Sequence, residues 1–403
     1  MTGQRILIAF VDDEANILTS LRRTMLSMLD EWEMAFFATG PDLLARMEDH
    51  PFDVVVSDMR MPGMDGATLL DQVAKRHPDT IRVILSGYAD NESVFRTVGP
   101  AHIYLAKPCN PTALRQAIKG RAALRRLMTG KELRRLLGGL SFLPSAPRLF
   151  LDLVAELRSP RASAATVAEI IGRDVAMTAE LLKLTNSSFF TVNAVISSPL
   201  QAVRILGLEI VQTLVLQLGI FRQFQGAEQM ARQIEALNAY SQALGDMAEN
   251  AALAAGEPDE VAKAARCAGL LSAIGSLVLL GERQADYRVV LEKAQAGRPL
   301  QEAETEVFGA DHALIGAYLL GLWGFSDSIV EAVTFAAQPS RATGANPILA
   351  ALHIARTAGP PFPLLASPIS QPVDRSFLGL VDRERPQRRW QQAETSIRKE
   401  VPR

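Results

Sequence analysis

Four short apolar runs, each closing on residues that carry charge or a hydroxyl, constrain the first 110 positions more than anything else in the chain. RILIAFVDD ends on Asp12 and Asp13, and FDVVVSD ends on Asp58. IRVILSG closes on Ser86, and HIYLAKP on Lys107. Apolar runs without alternation, separated by helical segments, read as parallel strands buried on both faces. In an open parallel sheet the site lies beyond the carboxyl ends of the strands, and all five residues fall there. Three carboxylates crowded at that edge repel one another unless a cation sits among them. A hard ion such as Mg²⁺ takes a few oxygen ligands and keeps its waters. A lysine and a hydroxyl can then hold the oxygens of a group arriving on one acid. The pattern points to phosphoryl transfer onto an aspartate.

The stretch 4–119 resembles the receiver domain of bacterial two-component response regulators. VDDE (11–14), SDMRMPGMDG (57–66), LSGYAD (85–90) and YLAKP (104–108) fall in that family's order and spacing. The resemblance implies a flavodoxin-like α/β domain, doubly wound about a five-stranded parallel sheet. It implies Asp58 as phosphoacceptor. Asp12 and Asp13 would hold Mg²⁺, with Asp58 and the backbone carbonyl of Arg60 as further ligands. Ser86 would be the switch hydroxyl, Tyr104 the switch aromatic and Lys107 the phosphate-contacting cation. The Lys107–Pro108 bond would be cis, a form that proline makes accessible.

At 403 residues the chain is long enough for two or three domains. With 48% hydrophobic and 21% charged residues it reads as globular, and a net charge of −2 sets up no field favouring nucleic acid or a membrane surface. The N-terminus runs straight into the first strand, so no signal peptide is expected. The apolar run 268–281 looks too short to span a bilayer. Cys109 and Cys267 are the only cysteines, which excludes a disulfide framework and suits the cytoplasm.

The expected organisation is a receiver over 1–122, a basic helical linker over 123–139, an all-α domain over 140–340 and a C-terminal extension over 341–403. The stretch AIKGRAALRRLMTGKELRRLLGGL is basic and amphipathic, and Gly138-Gly139 is read as its stop. A solvated linker or dimer stalk accounts for it more simply than a nucleic-acid helix, since no helix-turn-helix pattern follows. From 147 onward apolar residues recur at helical spacing, with a long helix over about 228–255 and others over 259–281, 310–324 and 326–338. No strand is expected between 140 and 340. The segment 359–372 is proline-rich and reads as an extended loop, followed by a final helix around Trp390.

This half resembles the HDOD domain, a relative of the HD and HD-GYP metal-dependent phosphohydrolases. The carriers are LPSAP (143–147), IIGRDVAMTAELLKLTNSSFF (170–190), AVRILGLEIV (202–211) and GAYLLGLWGFSDSIVEAV (316–333). An HD-type hydrolase gathers histidine and aspartate ligands from several helices around metals that activate water. By the resemblance those ligands should fall at Tyr240, Ser272, Ala273, His312 and Ala336-Ala337, with a lysine at Ser276. Only His312 could coordinate, and a single imidazole does not hold a catalytic metal. The domain is therefore expected to be non-catalytic and free of cofactor.

The resulting expectation is a cytoplasmic response regulator. A sensor histidine kinase would phosphorylate Asp58 with Mg²⁺, and the HDOD output would act through protein–protein contact. By the resemblance a cyclic-dinucleotide signalling protein is a candidate partner. Neither a membrane nor nucleic acid is expected, and homodimerisation stays open. The alternatives are a metal-dependent cyclic-dinucleotide phosphohydrolase and a nucleotide- or nucleic-acid-binding output domain.

Overall fold

Val54, Val55 and Val56 are wholly buried on both sides of one strand, which is why FDVVVSD carries no polar alternation. That strand, β3 (Val54–Asp58), is central in a five-stranded parallel sheet with β1 (Ile6–Val11), β2 (Trp32–Phe37), β4 (Ile81–Ser86) and β5 (Ile103–Ala106). The order is β2-β1-β3-β4-β5, so the chain reverses its winding between β1 and β3. The computed structural model describes residues 5–86, 101–107, 111–112, 114–115, 118, 131–140, 143–186, 196–217, 220–365, 372–384 and 389–400. Its two compact units consist mainly of residues up to 141 and residues from 142.

Helices α1 (Ala15–Thr24), α2 (Gly40–Asp49) and α3 (Gly66–Arg76) connect the first four strands. Thr39 caps α2 by accepting from the Asp42 amide, and Asp65 caps α3 by accepting from the Thr68 amide at 2.8 Å. Gly66 then lets α3 start hard against β3: a Cβ there would fall 2.1 Å from the Asp58 carbonyl oxygen. The fold thus fixes the backbone of Asp58 from both sides of its peptide. The linker helix, Lys131–Gly139, belongs to this first unit and packs on α3. The expected continuation of the receiver's last helix into it falls on 119–130, outside the described residues, as do Cys109, Pro108 and most of NSSFF.

The second unit is helical around the long Glu228–Ala254 helix, which packs against helices Asp259–Leu271, Pro347–Ala358 and Trp390–Glu400. The segment beyond 340 is thus built into this core. Three details depart from the sequence reading. Pro144–Ser145 and Arg222–Gln223 pair as two-residue parallel strands. The 259–281 helix breaks after Leu271 and restarts at Ile274. Together its halves are long and apolar enough to cross a membrane by length and composition, yet 83% of that window is buried in the protein core. At LGL (206–208) a helix stops and another starts, with Gly207 at φ +84 between helices Pro199–Leu206 and Leu208–Gln212.

A buried carboxylate ties this unit together. Asp174, wholly inaccessible, accepts from the amides of Ala146 (2.8 Å) and Met177 (2.9 Å) and from Asn238 Nδ2 (3.0 Å). Asn238 Oδ1 accepts in turn from the Val175 amide. One acid therefore caps helix Val175–Thr185 and pins it to the long helix and to the start of helix Pro147–Leu157. Burial pushes its pKa up, opposed by these hydrogen bonds. Removing it leaves buried donors unpaired, so Asp174→Ala should destabilise the helical unit by about 3 kcal/mol. Urea unfolding of the full chain, followed by circular dichroism, checks this; a loss below about 0.5 kcal/mol would deny the acid its tying role.

Candidate functional site

The reversal between β1 and β3 opens a crevice at the carboxyl ends of the strands, and three charged side chains meet in it. Asp12, just past β1, is 1% exposed, and Asp58, the last residue of β3, is 7% exposed. Lys107, just past β5, places its Nζ 2.8 Å from Asp12 Oδ2 and 2.5 Å from Asp58 Oδ1. The second oxygen of each acid is held by backbone: Asp12 Oδ1 accepts from the Glu14 amide and Asp58 Oδ2 from the Arg60 amide, both at 3.0 Å. Every carboxylate oxygen is thus aimed. Burial works against the Lys107 ammonium, but hydrogen bonds to Asp12 and Asp58 and their charges prevail and raise its pKa.

Asp13 is exposed beside this cluster. Among the described residues no three His, Cys, Asp or Glu side chains converge as a metal-binding group. The lysine, not a third acid, joins the two buried carboxylates. Ser86 closes β4 and pairs with Ala106 of β5, so its backbone is at the same edge. Tyr104 is placed in β5, opposite Ile84. The side chains of Ser86 and Tyr104, like the Lys107–Pro108 bond, lie outside the described residues.

In the helical unit, the positions that would carry metal ligands meet in a different chemistry. Tyr240 and His312 flank the ring of Phe362, which comes from the proline-rich loop. The Phe362 ring meets Tyr240 edge-on at 5.6 Å and stacks on His312 at 6.0 Å. His312 Nδ1 is 2.6 Å from Glu304 Oε2, and both residues are buried. Tyr287 OH donates to Glu304 Oε1 at 3.4 Å. Ser272 and Ala273 occupy the helix break, where Ser272 Oγ donates to the Gly269 carbonyl. Burial, and next the Glu304 carboxylate, push the Tyr287 hydroxyl well above its ordinary pKa, while Ser276 Oγ finds no partner at hydrogen-bonding geometry. Ala336 presents only its carbonyl, which accepts from His353 Nδ1 at 2.8 Å. The Asp374 amide donates to His353 Nε2, which fixes that imidazole as neutral, and burial lowers its pKa. Burial also pushes the Cys267 thiol up to about 12, leaving it inert.

The sequence reading did not foresee Glu304, Tyr287 or Phe362. Glu304 lies eight positions before His312, on another helix, and only the tertiary fold joins them. Phe362, the one aromatic residue in GPPFPLL, was the available signal.

Comparison with known proteins gives two family matches: the response regulator receiver domain over 8–119 and the HDOD domain over 143–339. The hydrogenase transcriptional regulatory protein HoxA of Cupriavidus necator is 32% identical over 125 residues, which is 30% of this chain and 25% of that protein. An uncharacterized protein of Treponema pallidum is 27% identical over 197 residues, 48% of this chain and 37% of the other. Among solved structures, the MmoQ response regulator of Methylococcus capsulatus aligns over 60% of this chain and 93% of its own, at 23% identity and a TM-score of 0.45. The matched region spans between a quarter and two fifths of the length of these curated relatives.

Burial would lower the His312 pKa, but the Glu304 carboxylate outweighs it and raises it above the ordinary histidine value of 6.5. The pair's contribution to stability is then complete below pH 6.5 and lost as pH rises through the folded value. Glu304→Gln should bring the His312 titration down and remove that pH dependence. NMR titration of the imidazole reads this directly; an unmoved midpoint in the variant would show that Glu304 does not set it.

Proposed function

This chain is a response regulator, a receiver domain followed by an HDOD domain, and we propose that Asp58 is its phosphoacceptor, loaded by a sensor histidine kinase in the cytoplasm. The observation that carries the reading is the Asp12–Lys107–Asp58 cluster. A carboxylate oxygen must reach an incoming phosphorus, while cations hold the oxygens on which charge gathers. Asp58 Oδ1 is the oxygen that would attack, and it touches a lysine that can swing from carboxylate to phosphoryl oxygen. The Arg60 amide fixes the other oxygen and so aims the first.

Receiver domains generally bind Mg²⁺, and the donors here suit it. Two buried carboxylates face a single ammonium, leaving negative charge that a hard divalent cation would neutralise. Asp12, Asp13, Asp58 and the Arg60 carbonyl would hold it, with Lys107 giving up Asp12. The cation would neutralise charge on the transferred group. Phosphate adds roughly −1.5 to −2 charge and three acceptor oxygens, which Ser86 and Lys107 would meet, with Tyr104 following inward.

The HDOD half then works by contact with a partner, a cyclic-dinucleotide signalling protein being a candidate, and not by hydrolysis. Support comes from Phe362 standing between Tyr240 and His312, and from His312 being committed to Glu304.

Acetyl phosphate with Mg²⁺ should label the wild-type chain and leave Asp58→Asn unlabelled, read by phosphate-affinity gel; equal labelling of the variant would move the acceptor elsewhere. Lys107→Ala should keep part of the labelling but lose the conformational response to beryllofluoride. Metal analysis of the full chain prepared with Mn²⁺, Fe²⁺ or Ni²⁺ should find no stoichiometric transition metal in the helical unit. Two tightly held metals that survive Asp58→Asn would instead revive a phosphohydrolase.

A further inference from the structure

The two strands that bear the switch positions at their carboxyl ends share a buried polar cluster at the other end. Arg82, near the start of β4, is 1% exposed, and His102, just before β5, is 4% exposed. They are cross-strand partners: the His102 amide donates to the Arg82 carbonyl at 2.8 Å, and the Arg82 amide donates to His102 Nδ1 at 3.2 Å. With Nδ1 accepting, the imidazole proton sits on Nε2. That nitrogen faces the carbonyl oxygen of Gly138 at 3.2 Å, and Arg82 Nη2 donates to the same oxygen at 2.7 Å. The Gly138 carbonyl thus accepts from both groups, which crowds the two donor nitrogens to 2.7 Å. Arg82 Nη1 donates to the carbonyls of Thr80 and Pro78.

Gly138 is the penultimate residue of the linker helix, where glycine costs about 1 kcal/mol relative to alanine. Here the absent Cβ is needed: one added at Gly138 would fall 1.9 Å from the Pro78 carbonyl oxygen. The glycine is a seat for close approach as well as part of the helix stop, for the helix ends at Gly139. Leu133 and Leu137, one turn apart, are buried on the same helix.

We propose that Arg82 and His102 form a clamp that makes the last turn of the linker helix part of the receiver. Ser86 is four residues from Arg82, about 13 Å along β4, and Lys107 is five residues from His102. A shift of β4 against β5 at the phosphoacceptor end therefore changes the geometry of two donors that share one linker carbonyl. The docking stands by itself; the coupling rests on the reading of Asp58 as phosphoacceptor.

Hydrogen exchange by mass spectrometry in the full chain, with and without beryllofluoride and Mg²⁺, tests both. Gly138→Ala keeps the receiver interior intact, and Arg82→Lys keeps the charge but loses the planar fork. Each should speed exchange of the 131–140 amides by about tenfold or more, with the β1 and β3 peptides unchanged. In the wild type, beryllofluoride should protect 57–66 and shift exchange of 131–140 severalfold, a shift both variants lose. Wild-type exchange of 131–140 in both variants would overturn the docking. Protection of 57–66 without any response at 131–140 would overturn the coupling. Failure to protect 57–66 would count against Asp58 as acceptor, while the variants would still decide the docking.

Discussion

The receiver half depends on one charge balance: two carboxylates drawn out of water at the ends of adjacent strands, held by a single ammonium. An unpaired buried carboxylate is costly, and a pair of them sharing one lysine is tolerable only with every oxygen directed. Lys107 and the amides of Glu14 and Arg60 meet that demand. The parallel sheet makes the arrangement possible. β1 and β3 are adjacent and β5 is two strands from β3, so residues nearly fifty and a hundred positions apart project from one edge. Two carboxylates and one ammonium leave one net negative charge, which a cation would neutralise.

The helical unit has settled the analogous problem in the opposite way. Where a metal would gather imidazoles and carboxylates from several helices, the positions hold Tyr240, Ser272, Ala273 and Ala336. The remaining histidine is satisfied by Glu304. A loop phenylalanine stands where coordination would need open space, with one face on imidazole and one edge against phenol. A buried His–Glu pair and an aromatic contact join the helices and the loop at this junction.

Between these, the Arg82–His102 pair treats a backbone carbonyl as a structural ligand. A buried guanidinium keeps its charge at any physiological pH and must find acceptors. Here these are carbonyls of the 78–80 turn and of Gly138. The pair links strand ends to a helix terminus through hydrogen bonds of fixed direction, beside the buried Leu133 and Leu137.

Strand identity, the five positions at the strand ends and the long helix were all legible in the sequence. Each rests on local periodicity or on residue chemistry at a fixed position. A parallel strand buried on both faces is largely apolar, and an alanine side chain offers a metal no donor atom. Other features were decided only by tertiary structure. The sequence offered three acids, but the fold joined two of them through Lys107 and left Asp13 exposed. Gly138-Gly139 read as a helix stop because glycine is costly in a helix; only the position of the Pro78 carbonyl shows why it is there. Glu304 and Tyr287 carried no local signal for His312, and Phe362 stood out only as a lone aromatic in its loop, because their pairing depends on how separate segments pack. Periodicity reports which face of an element is buried, but not which side chain waits on the other side.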